Sequence, residues 1–390
     1  MKVEFIPVRG NGQQIREIWE NLEESCGNLS YFLSWGWIEN WIASLPDHVK
    51  LELALFRGEE SQPLLAFFIG HAICDRKTGN FYGQRHFFKS RGWFVNATGI
   101  PDLDRLCMEY NRFLCKQDEF FRLQDILMCL PNSWDELFFG GFDLRFFPTT
   151  DVLGNIPPYK TMIRNDTVLL SPFVDLDMVR TRGGDYLSLL SANTRSQVSR
   201  SRKLYEQQIG PVGLEVAQDV RQAMDIYHEL VALHEITWKG KDRRGAFSSK
   251  YLFRFHSQLI KNRFEFGEIQ LARVKCGEKT TIGCLYNFVY KNHVYFYQNG
   301  IDYLPDKRMK PGLLLHAEAI KYNAAAGHKT YDFLCGDTRY KMSLSTHHNQ
   351  LVWARLQKPL LKFKIENAAR TVKLFLTRHL INDMHKHPSG

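Results

Sequence analysis

The chain lacks most of the features that announce a function directly. No run approaches the roughly 18 apolar residues of a membrane span, and the opening MKVEFIPVRGNG has no apolar export-signal core, so a cytoplasmic protein is expected. The eight cysteines (26, 74, 107, 115, 129, 276, 284 and 335) lie inside apolar segments without CxxC or CxxxxH spacing. That pattern speaks against a zinc module and, in so long a chain, for reduced thiols over a disulfide framework; no metal is expected. Neither the phosphate loop GxxxxGK[ST] nor the dinucleotide fingerprint GxGxxG occurs. Helix-turn-helix, zinc-finger and ribonucleoprotein patterns are missing too, so no specific nucleic-acid partner is expected.

What is present is core-forming material. Across 390 residues, 44% are hydrophobic and 13% aromatic, enough for more than one buried core and too much for a disordered chain. The net charge of +9 gathers visibly at Arg195–Lys203, Lys239–Arg244 and the C-terminal tail, favouring anionic partners without naming one. Between Phe146 and Asp166 the chain becomes poor in periodicity and rich in Pro, Thr, Gly and Asn, which marks a domain boundary. The expected organisation is a companion domain over 1–160, a catalytic domain over 161–357 and a basic tail over 358–390.

In the first half, helical spacing covers Gln14–Cys26 and the tryptophan-rich FLSWGWIENWIASL, whose Leu33, Trp37 and Trp41 fall four apart as a buried face would. LELALFRG and PLLAFFIGHAI read as a hairpin, WFVNATGIP as extended, DRLCMEYNRFLCKQ as a helix and DILMCLP as a strand. In the second half, TVLLSPFVDL is extended. Three helices follow, with Ser191 or Asn193, Asp219 and Ser249 as their caps and Gly210 closing the first. EIQLARV, TIGCLYNFVY and HVYFYQNG then form an antiparallel meander turning at Lys291-Asn292.

Tyr295–Lys341 reads as a βαβ unit, in the order strand YFYQNGID, loop LPDKRM, helix KPGLLLHAEAIKYNAAAG, strand TYDFL and the ionisable GDTRYK. Pro311 suits a first helical position because the amide it lacks would be unpaired there, and Gly312 removes a side chain where a ligand could approach. Free amides at such a helix start, with Lys307, Arg308 and Lys310 nearby, can hold phosphate; plain helix initiation is the other reading. The loop lies at the carboxyl edge of the sheet, the usual ligand position in open α/β sheets.

Several separated motifs in order, LSANTRSQVSRSRKLYEQ, LVALHEITWKGK, RFHSQLI, YQNGIDY, MKPGLLLHAEAI and YDFLCGDTRYKMSLS, resemble the CelD/BcsL-like branch of the GNAT acyltransferase superfamily, itself similar to Fem-type peptidyl transferases. The resemblance spans about Thr167–Trp353, and the first half looks like the companion GNAT-like domain of such chains. It implies an α/β fold of two GNAT-like domains, mixed central sheets flanked by helices, with acetyl-CoA or another acyl-CoA as co-substrate. Tyr295–Gly300, including Gln298, would face the pantetheine arm, Tyr331–Leu334 would be the partner strand, and Met309, Lys310, Pro311, Gly312, Leu313 and Leu314 would hold the pyrophosphate. The chain has KRMKPG where the family signature reads RxxGxG/A, which leaves the aminoacyl-tRNA donor of Fem-type enzymes as the alternative; their long helical insertion is not evident.

Transfer to an amine needs alignment, a base and oxyanion stabilisation. Asp337, after the bend at Gly336, is the first candidate base and Asp332 the second carboxylate. Tyr340 is the candidate proton donor to the thiolate, or a packing residue. Lys341 is a candidate for holding charge, or for pairing with Asp337 or Asp332. His234, Trp238 and His316 are candidates for lining the acceptor pocket. The implied reaction is N-acyl transfer to a small or sugar-linked amine, with amino-sugar, envelope or exopolysaccharide precursors as the associated acceptors. In the tail, Leu361, Ile365, Ala368, Val372 and Leu376 form one apolar helical stripe. Its expected partner is the domain itself, and the other reading is peripheral contact with an anionic membrane.

Overall fold

Apolar alternation in both halves produces strands that pair into one continuous sheet. The computed structural model describes residues 1–27, 29–58, 62–75, 87–116, 121–147, 163–239 and 245–372. The expected domain boundary falls mostly in 148–162, outside the described residues. The first half contains β1 (Lys2–Pro7), α1 (Gly12–Ser25), α2 (Trp35–Ser44), β2 (Leu51–Arg57), β3 (Pro63–Cys74), β4 (Ser90–Val95), β5 (Leu114–Cys115), α3 (Leu123–Cys129) and β6 (Glu136–Asp143). The second runs through β7 (Ile163–Asp175), α4 (Leu176–Thr181), α5 (Ala192–Gln208), β8 (Val212–Val216), α6 (Val220–Lys239), α7 (Lys250–Arg263), β9 (Ile269–Cys276), β10 (Thr280–Tyr290), β11 (His293–Ile301), α8 (Pro311–Ala325), β12 (Thr330–Asp332), α9 (Arg339–Leu344) and β13 (His347–Gln357). A final helix, α10, covers 361–372.

The strand order β1-β2-β3-β4-β6-β13-β7-β12-β11-β10-β9-β8 reads nearly the same from both ends. Each half offers a four-strand antiparallel meander followed by a parallel neighbour, β4 with β6 and β11 with β12. The last chain strand, β13, then pairs with β6 of the first half and with β7 along its whole length, from His347↔Phe173 to Gln357↔Ile163. This is the expected mixed α/β architecture, with helices on both faces of a large mixed sheet.

Helix termini follow the expected chemistry. Ser191 caps α5 through the Thr194 amide, Asp219 accepts from the Gln222 amide at 2.7 Å, and Ser249 accepts from Leu252 at 3.4 Å. The tryptophan cluster is core: Trp19, Trp37 and Trp41 are almost wholly buried, and the Trp37 ring meets Phe288 of the second half at 5.4 Å. Burying such rings is worth several kcal/mol, about 3–5 for truncation to alanine, and the Trp37 contacts with Phe255 and Phe288 join the two halves in addition to the sheet.

Three expectations are corrected. DILMCLP is helical (α3), because a short apolar run carries no period that separates strand from buried helix. DRLCMEYNRFLCKQ is not one helix: after a 3-10 turn at Asp104–Leu106, Cys107 and Tyr110 adopt φ of 50° and 53°, which no helix tolerates. The chain instead runs extended through an isolated bridge, Asn111↔Phe142. In α10, the apolar stripe faces outward: Phe363 and Glu366 are buried, while Leu361, Ile365 and Val372 are exposed. Lys362 pairs with Asp135 at 2.7 Å, so polar contacts and one phenylalanine dock this helix. Leu376 lies outside the described residues.

Gly300 marks the tightest crossing near the cavity, since a Cβ there would stand 2.2 Å from the Leu230 carbonyl oxygen of α6. Gly300→Ala is expected to lower stability by about 1–3 kcal/mol through this overlap, read from urea denaturation of the full chain.

Candidate active site

The parallel pairing of β11 with β12 is short. It joins His293–Tyr295 to Thr330–Asp332 and stops, while β11 continues to Ile301. Two features end β12. The Asp332 carboxylate accepts from the Leu334 amide two residues on, at 2.7 Å, and Leu334 takes a φ of 58°, turning the chain away from the sheet. On its other side β11 carries a bulge: its register with β10 passes from Phe296↔Asn287 to Gln298↔Tyr286, leaving Tyr297 as an extra residue. Beyond Tyr295, backbone that would have paired with β12 therefore faces open space. The Asn299 amide donates to the Gln298 carboxamide at 3.2 Å instead of to a strand.

A cavity of about 1030 Å³ occupies this splay. One wall is the start of α8, where Met309, Lys310, Pro311, Gly312 and Leu313 line the space; Leu314 is fully buried behind them. The Lys310 amide is taken by Ser201 Oγ at 2.8 Å and Pro311 has none, so the next helix amides are those left to a ligand. A Cβ on Gly312 would meet only Ile301 Cδ1 at 3.4 Å, an ordinary contact, so protein packing does not demand glycine there.

The opposite wall carries His234 and Trp238. His234 Nδ1 lies 3.0 Å from the Asn299 carbonyl oxygen and its Nε2 accepts from the Ala246 amide at 3.3 Å, so both ring nitrogens are engaged in holding β11 and the loop after α6. His316 lies at the base, wholly buried, with Nδ1 3.1 Å from Tyr331 Oη and its ring stacked on Tyr340 at 5.7 Å. Burial pushes the His316 pKa down to about 3, helped by the Lys341 charge, so this imidazole is neutral. Burial also pushes Tyr340 up to about 12, keeping its hydroxyl protonated.

The carboxylates are distributed differently from expectation. Asp337 is exposed and does not line the cavity, although its neighbours Thr338, Tyr340 and Lys341 do. Asp332 lies buried beneath the cavity, accepting from Tyr110 Oη, from Ser171 Oγ at 3.1 Å and from the Leu334 amide. Among the described residues, the carboxylate that lines the cavity is Glu109, from the first half of the chain. Its Oε2 accepts from the Cys335 amide at 2.5 Å. Lys341 donates to the carbonyls of Leu334 (3.2 Å) and Cys335 (2.8 Å), clamping the turn that presents this amide.

Glu109 is partly open to the cavity but ringed by protein. Loss of solvation pushes its pKa up to about 7, opposed by the Cys335 amide and the Lys341 ammonium. Burial likewise lowers the Lys341 pKa, against the pull of Glu109 and Asp332. One trace of Glu109 was available in the sequence: an isolated carboxylate inside the apolar LCMEYNRFLC is costly to bury without purpose. Arg105 and Cys107 reach the cavity from the same segment, and the Tyr297 hydroxyl fastens that segment to the bulge by donating to the Leu106 carbonyl at 3.2 Å.

The first half repeats the geometry in a narrower form. β4 pairs with β6 from Gly92↔Glu136 to Val95↔Phe139 and then ends; Asn111 bridges part of the gap, beside a smaller cavity of about 460 Å³ lined by Val95, Asn96, Asn111 and Gly140. The Asn111 amide donates to Gly141 O at 2.8 Å and the Asp143 amide to Asn111 O at 2.9 Å.

Residues 192–342 match the sequence profile of an acetyltransferase (GNAT) domain. No curated protein matches the chain significantly in sequence. Among solved structures, the chain is similar to FemX, with a TM-score of 0.52 and 10% identity over 91% of this chain and 97% of that one. It is also similar to a conserved protein of unknown function from Bacteroides thetaiotaomicron VPI-5482, with a TM-score of 0.50 and 7% identity over 88% of this chain and 97% of that one. At such identities the likeness is one of fold.

A carboxyl whose pKa is raised in the folded state retains a proton that the unfolded chain releases near 4.5. The folded state therefore loses stability relative to the unfolded one as pH rises from about 4.5 to about 7, and the cost is fully present above that window. Glu109→Gln, which keeps an acceptor for the Cys335 amide, is expected to be more stable than wild type at pH 8 and to lose this advantage near pH 4.5. Denaturant titrations at the two pH values check it.

Proposed function

We propose that this chain is an N-acyltransferase that moves an acyl group from acyl-CoA, acetyl-CoA being the simplest donor, to an amine. The observation that carries the reading is the open splay between β11 and β12, with a bulged strand on one side and a Pro-Gly helix start on the other. An extended pantetheine arm is a strand-like ligand that such unpaired backbone can hydrogen-bond, and the α8 amides with Lys307 and Lys310 suit a pyrophosphate. Met309 and Leu313 supply apolar contact, and Gln298 lies beside the arm.

In this reading the acceptor enters between Glu109 and the His234–Trp238 wall. Glu109, poised near neutral pH, takes the amine proton directly or through a water, and the amine attacks the thioester carbon. Backbone amides at the β11 bulge stabilise the oxyanion, and as the carbon–sulfur bond breaks the Tyr340 hydroxyl gives its proton to the departing thiolate. Lys341 acts through position, fixing the Cys335 amide and favouring ionised Glu109. Asp332 shapes the turn. An amine carried on a sugar, such as an envelope or exopolysaccharide precursor, suits a wall of one tryptophan with Glu109 and Arg105 opposite. The donor carries with it a cytoplasmic location.

Thermal shift against acetyl-CoA, longer acyl-CoAs, free CoA and charged tRNA tests the donor. Stabilisation by CoA compounds is expected, and binding of charged tRNA with no response to CoA would transfer the reading to Fem-type aminoacyl transfer. Gly312→Val should raise the CoA dissociation constant at least about tenfold while leaving the melting temperature of the free protein nearly unchanged, because the added methyls enter the ligand space. Glu109→Gln should lower kcat about 10²–10⁴-fold with donor affinity retained, and wild-type kcat/KM should rise through about pH 7.

A further inference from the structure

The outward stripe of α10 has no partner within the protein described. Leu361, Ile365 and Val372 are 71%, 50% and 57% exposed, and at 100° per residue they fall within about 40° of one another around the helix. The patch extends beyond the helix. Phe87 and Phe88 are each 41% exposed, the Phe87 amide donates to Glu366 Oε2 at 3.2 Å, and Arg370 lies over the Phe87 ring. Lys362 donates to the Lys89 carbonyl at 2.9 Å, and Ile73, 54% exposed, stands opposite Arg91 in the sheet. The helix stripe supplies three exposed apolar side chains, and Phe87, Phe88 and Ile73 supply three more beside the helix. Around them stand Lys89, Arg91, Lys362, Lys364 and Arg370, with Arg91 and Lys362 paired to Asp135 and Arg370 to Glu366.

We propose that this region is a membrane-contact surface for anionic phospholipid. Two arguments favour a bilayer over a protein partner or a second copy. First, the surrounding charge is net positive, which complements an anionic headgroup layer and would repel its own image across a two-fold interface. Second, the helix is anchored from its polar side, through buried Phe363 and Glu366 and the Lys362–Asp135 pair, which leaves the apolar stripe uppermost and the lysines at its flanks, the arrangement of an interfacial helix. The inference does not depend on the acyl-transfer reading.

Co-sedimentation of the full chain with vesicles tests it. Vesicles of phosphatidylcholine alone should recover little protein, and vesicles one third phosphatidylglycerol should recover much more, with binding weakened by added salt, which shortens the range of the attraction. The double variant Leu361→Asp/Ile365→Asp should lower partitioning at least about tenfold while keeping the wild-type melting temperature and acyl-CoA response, since both side chains are exposed. No binding to anionic vesicles, or binding that the variant leaves unchanged, overturns the proposal. A concentration-dependent dimer in sedimentation velocity that the variant dissolves, without vesicle binding, would assign the stripe to a second copy and overturn it equally.

Discussion

The early end of β12 is the constraint on which the site depends. Asp332 accepts from the Leu334 amide, Leu334 turns left-handed, and after three paired residues the sheet opens. Had β12 continued beside β11 to Ile301, the backbone now facing the cavity would be spent on ladder bonds and no strand-like ligand could dock. The turn is secured from several directions: Tyr110 and Ser171 hold the Asp332 carboxylate, and Lys341 holds two carbonyls just after it. A non-glycine residue at positive φ is maintained only by such over-determination.

The same constraint explains why the two halves work as one. The segment after β4 bridges its own splay with Asn111 and, in doing so, projects Glu109 and Tyr110 across to the open splay of the second half. Tyr110 buttresses Asp332, Glu109 binds the Cys335 amide, and Leu106 is tied to Tyr297 at the bulge. The first half thus supplies part of the cavity wall, including the carboxyl group of Glu109, while the second supplies the splay. Swapping of β13 into the seam between β6 and β7 fixes their relative placement.

The strand and helix start that flank the cavity were legible in the sequence because they rest on local chemistry. Pro311 and Gly312 announce a helix start, alternation in HVYFYQNG announces a strand, and their order announces a βαβ unit at the carboxyl edge. The wall built from Glu109 and its segment was not, because it rests on long-range contacts. The spacing in DRLCMEYNRFLCKQ is helical, and only tertiary pairing with Phe142, together with positive φ at Cys107 and Tyr110, overrides it. Asp337 looked poised because it follows Gly336, but the six-residue α9 begins so soon after it that Tyr340 and Lys341 turn inward and Asp337 outward. The α10 stripe was legible as amphipathic, yet its direction depended on Asp135 and Phe87, far away in the chain.

The central claim is that acyl-CoA lies in the splay between β11 and β12. Hydrogen–deuterium exchange of the full chain with and without acetyl-CoA reads this directly. Slowed exchange concentrated in Tyr295–Ile301 and Gly312–Leu315 is the predicted result. Protection confined to other segments, or none at saturating donor, would contradict it.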